Sequence, residues 1–347
     1  MIKNKLITTA ASATLLIMVL TPGSAQATAR NTHSDSAHLT QATRAPSTYK
    51  IAFVPKLVGI PYFTAMENGA KAAAKRFGGK FIYEGPTTAT VEGQDEDIAS
   101  LIKEHVSAIG VSANSASSVC PDYAQAIKAG IVVFASDSNV SCKDNELWVQ
   151  QATNQAIGTA VINILAKEIH GSGEVAFVSA GSTATNLNAW ISVMKQQLKR
   201  YPKIHLVSVQ YASENTAQAE TISARLIASY PNLKGLVGIA STTTPGAAEA
   251  VVEAGKVGKI AVTGLDDPNS IRPMIEKGVV KKVVVWNPTN LGYLMYWGVL
   301  QILEHHHFSA ENTVPGLPGK YAYNPSTKTL NLGAPLIITK ANVNLNF

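Results

Sequence analysis

The chain has 347 residues, 46% hydrophobic and 15% charged, an ordinary globular composition with ample apolar surface for a core. Its length suggests about two domains of roughly 100–200 residues each. The formal charge is +6, but residues 1–48 hold Lys3, Lys5, Arg30 and Arg44 against Asp35 alone. The remaining 25 basic and 22 acidic residues balance at +3, no electrostatic footprint for nucleic acid.

In chain order, Lys3 and Lys5 form a positive n-region, Leu6 to Leu20 an apolar h-region, and Ala25-Gln26-Ala27 an A-x-A cleavage site. This predicts a secretory signal peptide over residues 1–27, too short and wrongly flanked for a membrane span. A buried N-terminal helix is the alternative reading. No cysteine follows the cleavage site, which argues against a lipoprotein anchor. Residues 28–48 are small and polar and read as a disordered tether.

Apolar strands then alternate with helical patterns. "KIAFV" precedes a helix with Phe63, Met66, Ala70, Ala73 and Phe77 on one face. "KFIYEG" precedes one carrying Val91, Ile98, Leu101 and Ile102. "AIGVSAN" precedes a helix opened by Cys120, and "IVVFASD" ends the first set. Ile157, Val161, Ile164 and Leu165 make a helical stripe. "EVAFVSAG", "IHLVSVQYA", "LKGLVGIAS", "KIAVTGLDD" and "KKVVVWN" are further strands with helical patterns between them. These are continuous Val, Ile and Ala runs, the mark of strands buried on both faces of a parallel sheet. Strand–helix alternation predicts an α/β fold, and two open doubly wound lobes suit the length better than a closed eight-fold barrel.

Open parallel sheets bind ligands outside the carboxyl ends of their strands. Those ends are Pro55-Lys56, Ala113-Asn114, Ser136-Asp137, Gly181-Ser182, Ala240-Ser241, Asp266-Asp267 and Trp286-Asn287, with Tyr62, Phe63 and Trp190 nearby. None of the eight histidines falls at a strand tip. No G-x-S-x-G, H-E-x-x-H, Walker loop or G-x-G-x-x-G is present. No cofactor or metal is therefore expected. His305, His306 and His307 are consecutive at a helix C-terminus, where they share no face. An enzyme such as a glycosidase needs paired carboxylates, for which only Asp137 and Asp266 offer themselves. The tips instead suit binding of a small, polyhydroxylated neutral molecule, with amides, carboxylates and a lysine for hydroxyls and aromatic faces for the C–H side of a ring. The bland alternative is that tip Asp and Asn residues only cap the following helices. Cys120 and Cys142 are the only cysteines; an even count in an exported chain favours one disulfide, and a redox pair would want C-x-x-C spacing.

"IAFVPKLVGIPYF", "VSANS", "CPDYAQAIKAGIVVFASDS", "ATNLNAW", "VTGLDDPNSIRP", "VWNPTNLGYL" and the ending "NVNLNF" together resemble the periplasmic sugar-binding proteins of ABC importers, most of all the autoinducer-2-binding and rhamnose-binding subgroup. The resemblance runs from Tyr49 to Phe347. It implies two lobes joined by three crossovers and closing on ligand: residues 49–154 plus 286–306, and 155–285 plus 307–347. It implies a periplasmic location, an ABC permease as partner (a chemoreceptor or sensor kinase in the alternative sensing role), and a monomer. It makes Lys56 and Asp137 ligand-binding, Tyr62 and Phe63 site-lining, and Trp286 a cleft tryptophan near a crossover. Pro55 and Gly59 shape the loop presenting Lys56, and Cys120 and Cys142 match the subgroup's cysteine pair.

Departures from the subgroup accompany these matches. The autoinducer-2 type carries Asp-Gln at Asn186-Leu187, Pro-Asp-Ala at Ile239-Ala240-Ser241, and Trp-Asp at Trp286-Asn287. Asn186 is closer to the rhamnose type, which has Gln at Leu187. An amide donates and accepts where a carboxylate only accepts, so the hydroxyl pattern recognised should differ. Asn186, Leu187, Ser241 and Asn287 are thus candidate ligand contacts. So is Asp266, which departs from the subgroup but matches sugar-binding aspartates of other members.

Overall fold

In the computed structural model the first strand, β1 (Ser47–Val54), begins inside the segment read as a tether; residues 47–347 are described, and the leader and the rest of the tether lie outside the described residues. From β1 the chain alternates as the patterning predicts: α1 (Pro61–Phe77), β2 (Gly78–Tyr83), α2 (Val91–Lys103), β3 (Ala108–Val111), α3 (Cys120–Lys128), β4 (Val132–Ser136) and the short β5 (Trp148–Gln150). These strands run parallel in the order β2-β1-β3-β4-β5.

The same order is then repeated. After α4 (Asn154–Glu168) come β6 (Gly173–Ser179), α5 (Thr185–Leu198), β7 (Ile204–Tyr211), α6 (Thr216–Ser229), β8 (Leu233–Gly238), α7 (Thr243–Glu253), β9 (Ala261–Gly264), α8 (Pro268–Glu276) and β10 (Lys282–Val285). The second sheet reads β7-β6-β8-β9, and bridges Val262–Val280 and Leu265–Val284 lay β10 beside β9. Both sheets are doubly wound, and in each the order reverses beside the first strand, which opens a crevice at the strands' carboxyl ends.

Three further strands complete the first sheet. The chain returns through α9 (Pro288–Leu303), then β11 (Glu311–Asn312), β12 (Tyr321–Asn324) and β13 (Thr329–Asn331); β13 pairs in parallel with β5. Only then does β14 (Leu336–Thr339) pair antiparallel with β10. The chain therefore passes between sheets at 151–154, at 286–287 and at 332–335. The third passage was expected near residue 307. It lies later because the edge of β5 takes β13 as a neighbour, so residues 311–331 belong with the first lobe and not the second.

Continuous apolar strands bury both faces. Ile51 and Phe53 of β1 enter one core while Ala52 and Val54 enter another. In β6, Val175 and Phe177 share the core of Ile51, and Ala176 and Val178 face a third. Helix α1 opens with Pro at its first position, where a missing N–H goes unneeded, and lays Phe63, Met66, Ala70 and Ala73 inward. It approaches α9 closely at two glycines: a Cβ on Gly69 would overlap the Thr289 carbonyl, and one on Gly292 would overlap the Met66 carbonyl. That contact seats α9, and with it the crossover at Trp286.

Candidate functional site: the cleft between two strand-end rims

The tip of β1 is held from below. Gln94, fully buried, donates its amide to the carbonyls of Pro55 (3.0 Å) and Ser112 (2.8 Å) and accepts the Asn114 N–H (2.9 Å). Asn114 in turn donates to the Lys56 carbonyl at 2.9 Å. Gly59, in the left-handed region at φ +88°, turns the chain back toward α1. Lys56 is thereby projected into the cleft with only 3% of its surface exposed. Its ammonium donates to Asn186 Oδ1 at 3.1 Å and faces Glu214 Oε1 at 3.6 Å.

Asp137 follows β4 with φ +63°, a conformation that aspartate tolerates better than most residues. Its carboxylate accepts from Tyr62 Oη (3.0 Å) and Gln151 (3.4 Å) on one oxygen, and from Ser112 Oγ (2.7 Å) and Asn186 Nδ2 (3.2 Å) on the other. The Trp286 indole donates to the Tyr62 hydroxyl at 2.9 Å. Burial, and then the neighbouring Asp137 charge, push the Tyr62 phenol well above its ordinary value, so it stays a neutral donor.

Asn186, near the N-terminus of α5, bridges the rims: its oxygen serves Lys56 and its nitrogen serves Asp137. Thr183 Oγ1 donates to the Asn114 carbonyl (2.6 Å) and Thr185 Oγ1 to that of Asn139 (2.9 Å), so hydroxyl contacts also join the rims. Beyond β7, Ser213 and Glu214 both adopt positive φ, and Glu214 Oε2 accepts from Thr242 Oγ1 at 3.0 Å.

At the tip of β9, Asp266 Oδ1 accepts the Asp267 N–H at 2.8 Å and the Ser270 hydroxyl, while Oδ2 is buried without a partner. Asp267 caps α8 through Oδ1, which accepts the Asn269 N–H at 2.9 Å, and its Oδ2 is likewise unpartnered. Burial first, and the adjacent Asp267 second, push the Asp266 carboxyl well up; burial raises Asp267. The rest of the wall is apolar. Tyr62 and Trp286 meet edge-on at 5.9 Å between ring centres, Trp190 tilts against Trp286 at 5.6 Å, and Phe63, Leu187 and Leu265 fill between them.

The cavity left between these closely packed side chains is about 50 Å³. Lys56, Tyr62, Phe63, Asp137, Asn186, Leu187, Ser241, Asp266 and Trp286 all line it. Asn287 does not: its side chain accepts the Asn290 N–H and caps α9, so the bland alternative applies there. Glu214 is the charged lining residue that the reading of strand ends passed over; the apolar Ile60, Leu265, Val284 and Val285 were not named by it either. The same rule, carried to the end of β7, points at Ser213-Glu214. Cys120 and Cys142 form a disulfide with Cα atoms 5.2 Å apart, tying the start of α3 to the loop that begins at Asp137. Among the described residues no group of three or more His, Cys, Asp or Glu side chains is placed to hold a metal, and no helix is long and apolar enough to cross a membrane.

Comparison with known proteins agrees with this architecture. Residues 51–306 match a family model described as a periplasmic binding protein domain. The chain is 26% identical over 243 residues to the D-ribose/D-allose-binding protein of Pseudomonas aeruginosa, spanning 68% of this chain and 76% of that one. It is 25% identical over 260 residues to the D-allose-binding periplasmic protein of Escherichia coli strain K12, spanning 72% and 83%. Among solved structures, an ABC transporter solute binding protein from Clostridium phytofermentas with bound L-rhamnose superposes with a TM-score of 0.82 at 28% identity, covering 86% of this chain and 98% of that one. LsrB from Clostridium saccharobutylicum in complex with AI-2 superposes at 0.81 with 21% identity, covering 86% and 100%, a likeness of fold.

Proposed function

The chain belongs to the periplasmic binding protein family, and from that premise we propose that it is an exported receptor that captures a monosaccharide-sized, hydroxyl-bearing ligand and delivers it to an ABC permease. The observation that carries this reading is the meeting of Lys56 and Asp137 from one rim with Asn186 from the other. A ligand between the rims engages both at once, and so binds the closed arrangement better than the open one. That differential affinity is what shifts such an equilibrium. Lys56, Asp137, Asn186 and Asp266 are the hydrogen-bonding set, and Phe63 and Trp286 cover the ring's apolar face. The proposed location is the periplasm, consistent with the leader read in residues 1–27 and with the family. The proposed activity is binding without turnover.

A thermal-shift panel tests this: L-rhamnose, D-ribose, D-allose, further deoxyhexoses and pentoses, polyols, amino sugars and AI-2. At about 100 times Kd a ligand adds roughly 2.7 kcal/mol of stability. One compound is expected to raise the melting temperature of the wild type and not of Lys56→Ala. A panel in which nothing shifts the wild type overturns the reading.

A further inference from the structure

Four carboxyl groups line the cleft, on Asp137, Glu214, Asp266 and Asp267, against one ammonium, on Lys56. Two of the four are provided for. Asp137 receives four donors, and Glu214 has the Lys56 ammonium on one oxygen and the Thr242 hydroxyl on the other. Lys56 is committed to Glu214 and Asn186. Asp266 and Asp267, 2% and 0% exposed, are left with one bare oxygen each and no cationic partner. Arg272, one turn along α8, turns instead to the Val343 carbonyl and Asn346.

We propose that the ligand carries a protonated amine, as an aminodeoxy monosaccharide or a similar amino-bearing ring, seated with its ammonium on the bare oxygens of Asp266 and Asp267. This inference rests on the reading of the cleft as a monosaccharide site. A buried carboxylate without a counter-charge is unfavourable, and two adjacent ones more so. A ring hydroxyl brings one donor and no charge; an ammonium brings three donors and the missing positive charge. Charge-assisted hydrogen bonds of this kind are roughly twice as strong as neutral ones. The raised carboxyls of Asp266 and Asp267 agree: burial disfavours the charge of each, and no protein cation stands near to offset it. The expectation of a neutral ligand, drawn from residue types alone, is refined here by which of those residues remain unpaired.

The test is calorimetric titration of the intact protein with D-glucosamine, D-galactosamine and D-mannosamine. Each is compared with its neutral parent hexose and with its N-acetyl derivative, in which the amine is uncharged. The expected result is at least tenfold tighter binding of one amine than of its parent and acetylated forms. Asp266→Asn and Asp267→Asn are close in shape, and asparagine retains the helix cap; each should bring the amine and its parent to similar Kd values. Binding of a neutral sugar with its amine equal or weaker overturns the inference while leaving the sugar-receptor reading intact. An amine preference that survives both substitutions overturns the seat. Silence from every neutral and amino sugar overturns both the inference and the reading beneath it.

Discussion

Lys56 and Glu214 face each other at 3.6 Å across the cleft, their side chains 4% and 5% exposed, and they come from opposite rims. Removing one member of a buried pair leaves the other desolvated and alone, at a cost of about 3–5 kcal/mol where the structure cannot relax. Here it can relax, by opening. Lys56→Met and Glu214→Gln should therefore each enlarge the ligand-free protein in small-angle scattering, and the double variant should recover part of the compactness. Identical scattering curves for wild type and both single variants would show that the pair has no part in closure.

Gly292 lies where a methyl group would overlap the Met66 carbonyl. The obstacle is backbone, so no rotamer change relieves it. Overpacking of this kind costs about 1–3 kcal/mol. Gly292→Ala should lower the free energy of unfolding by that much, read as a lower denaturation midpoint. Because α9 follows directly on the Trp286 crossover, ligand affinity should fall too. Unaltered stability would mean that α1 and α9 can separate freely.

The disulfide between Cys120 and Cys142 closes a segment of 22 residues. The chain-entropy relation gives about 3 kcal/mol for a loop of that size. The Cys120→Ala/Cys142→Ala protein should lose about that stability in urea while keeping its ligand, since neither cysteine lines the cleft. Lost binding with an unchanged urea midpoint would reassign the bond from the fold to the site.

Glu168 stands at the amino-end side of the second sheet with Lys281 and Lys282 nearby, and burial pushes its carboxyl up to about 7 despite them. Unfolded, it titrates near 4.3. The folded chain thus holds this proton more tightly, and the associated stability is present in full below about pH 4 and lost as pH rises through 7. Glu168→Gln should therefore melt higher than wild type at pH 8 and with it at pH 4. A difference that does not vary with pH would refute the assignment.

How far the sequence spoke depended on how local each signal was. Lys56, Asp137, Asp266 and Trp286 were legible because a parallel strand declares its own end, and the end of such a strand is where ligands sit. The pairing of β13 with β5 was not legible. Three residues, Thr329 to Asn331, carry no periodicity, and their partner is fixed by an open sheet edge far away in the chain. Glu214 falls under the same rule at the end of β7; what its polar loop does not advertise is the pair of left-handed residues, Ser213 and Glu214, in which that end turns. Asn287 shows the limit of residue type as a guide: asparagine ahead of Pro288 serves a helix cap as well as a sugar, and only the Asn290 N–H decides.

The late return of β13 also sets an order of assembly. Asn331 donates to Gln150 across 181 residues of sequence, at 3.2 Å. A polypeptide emerging N-terminus first presents β6 to β9 as one uninterrupted stretch, so the second lobe's parallel strands can zip together while the first lobe still waits for its outer edge. Contacts of such long reach form slowly. Both lobes thus wait for the C-terminal segment, and a chain truncated before Thr329 would leave β5 without its outer neighbour and β10 without β14.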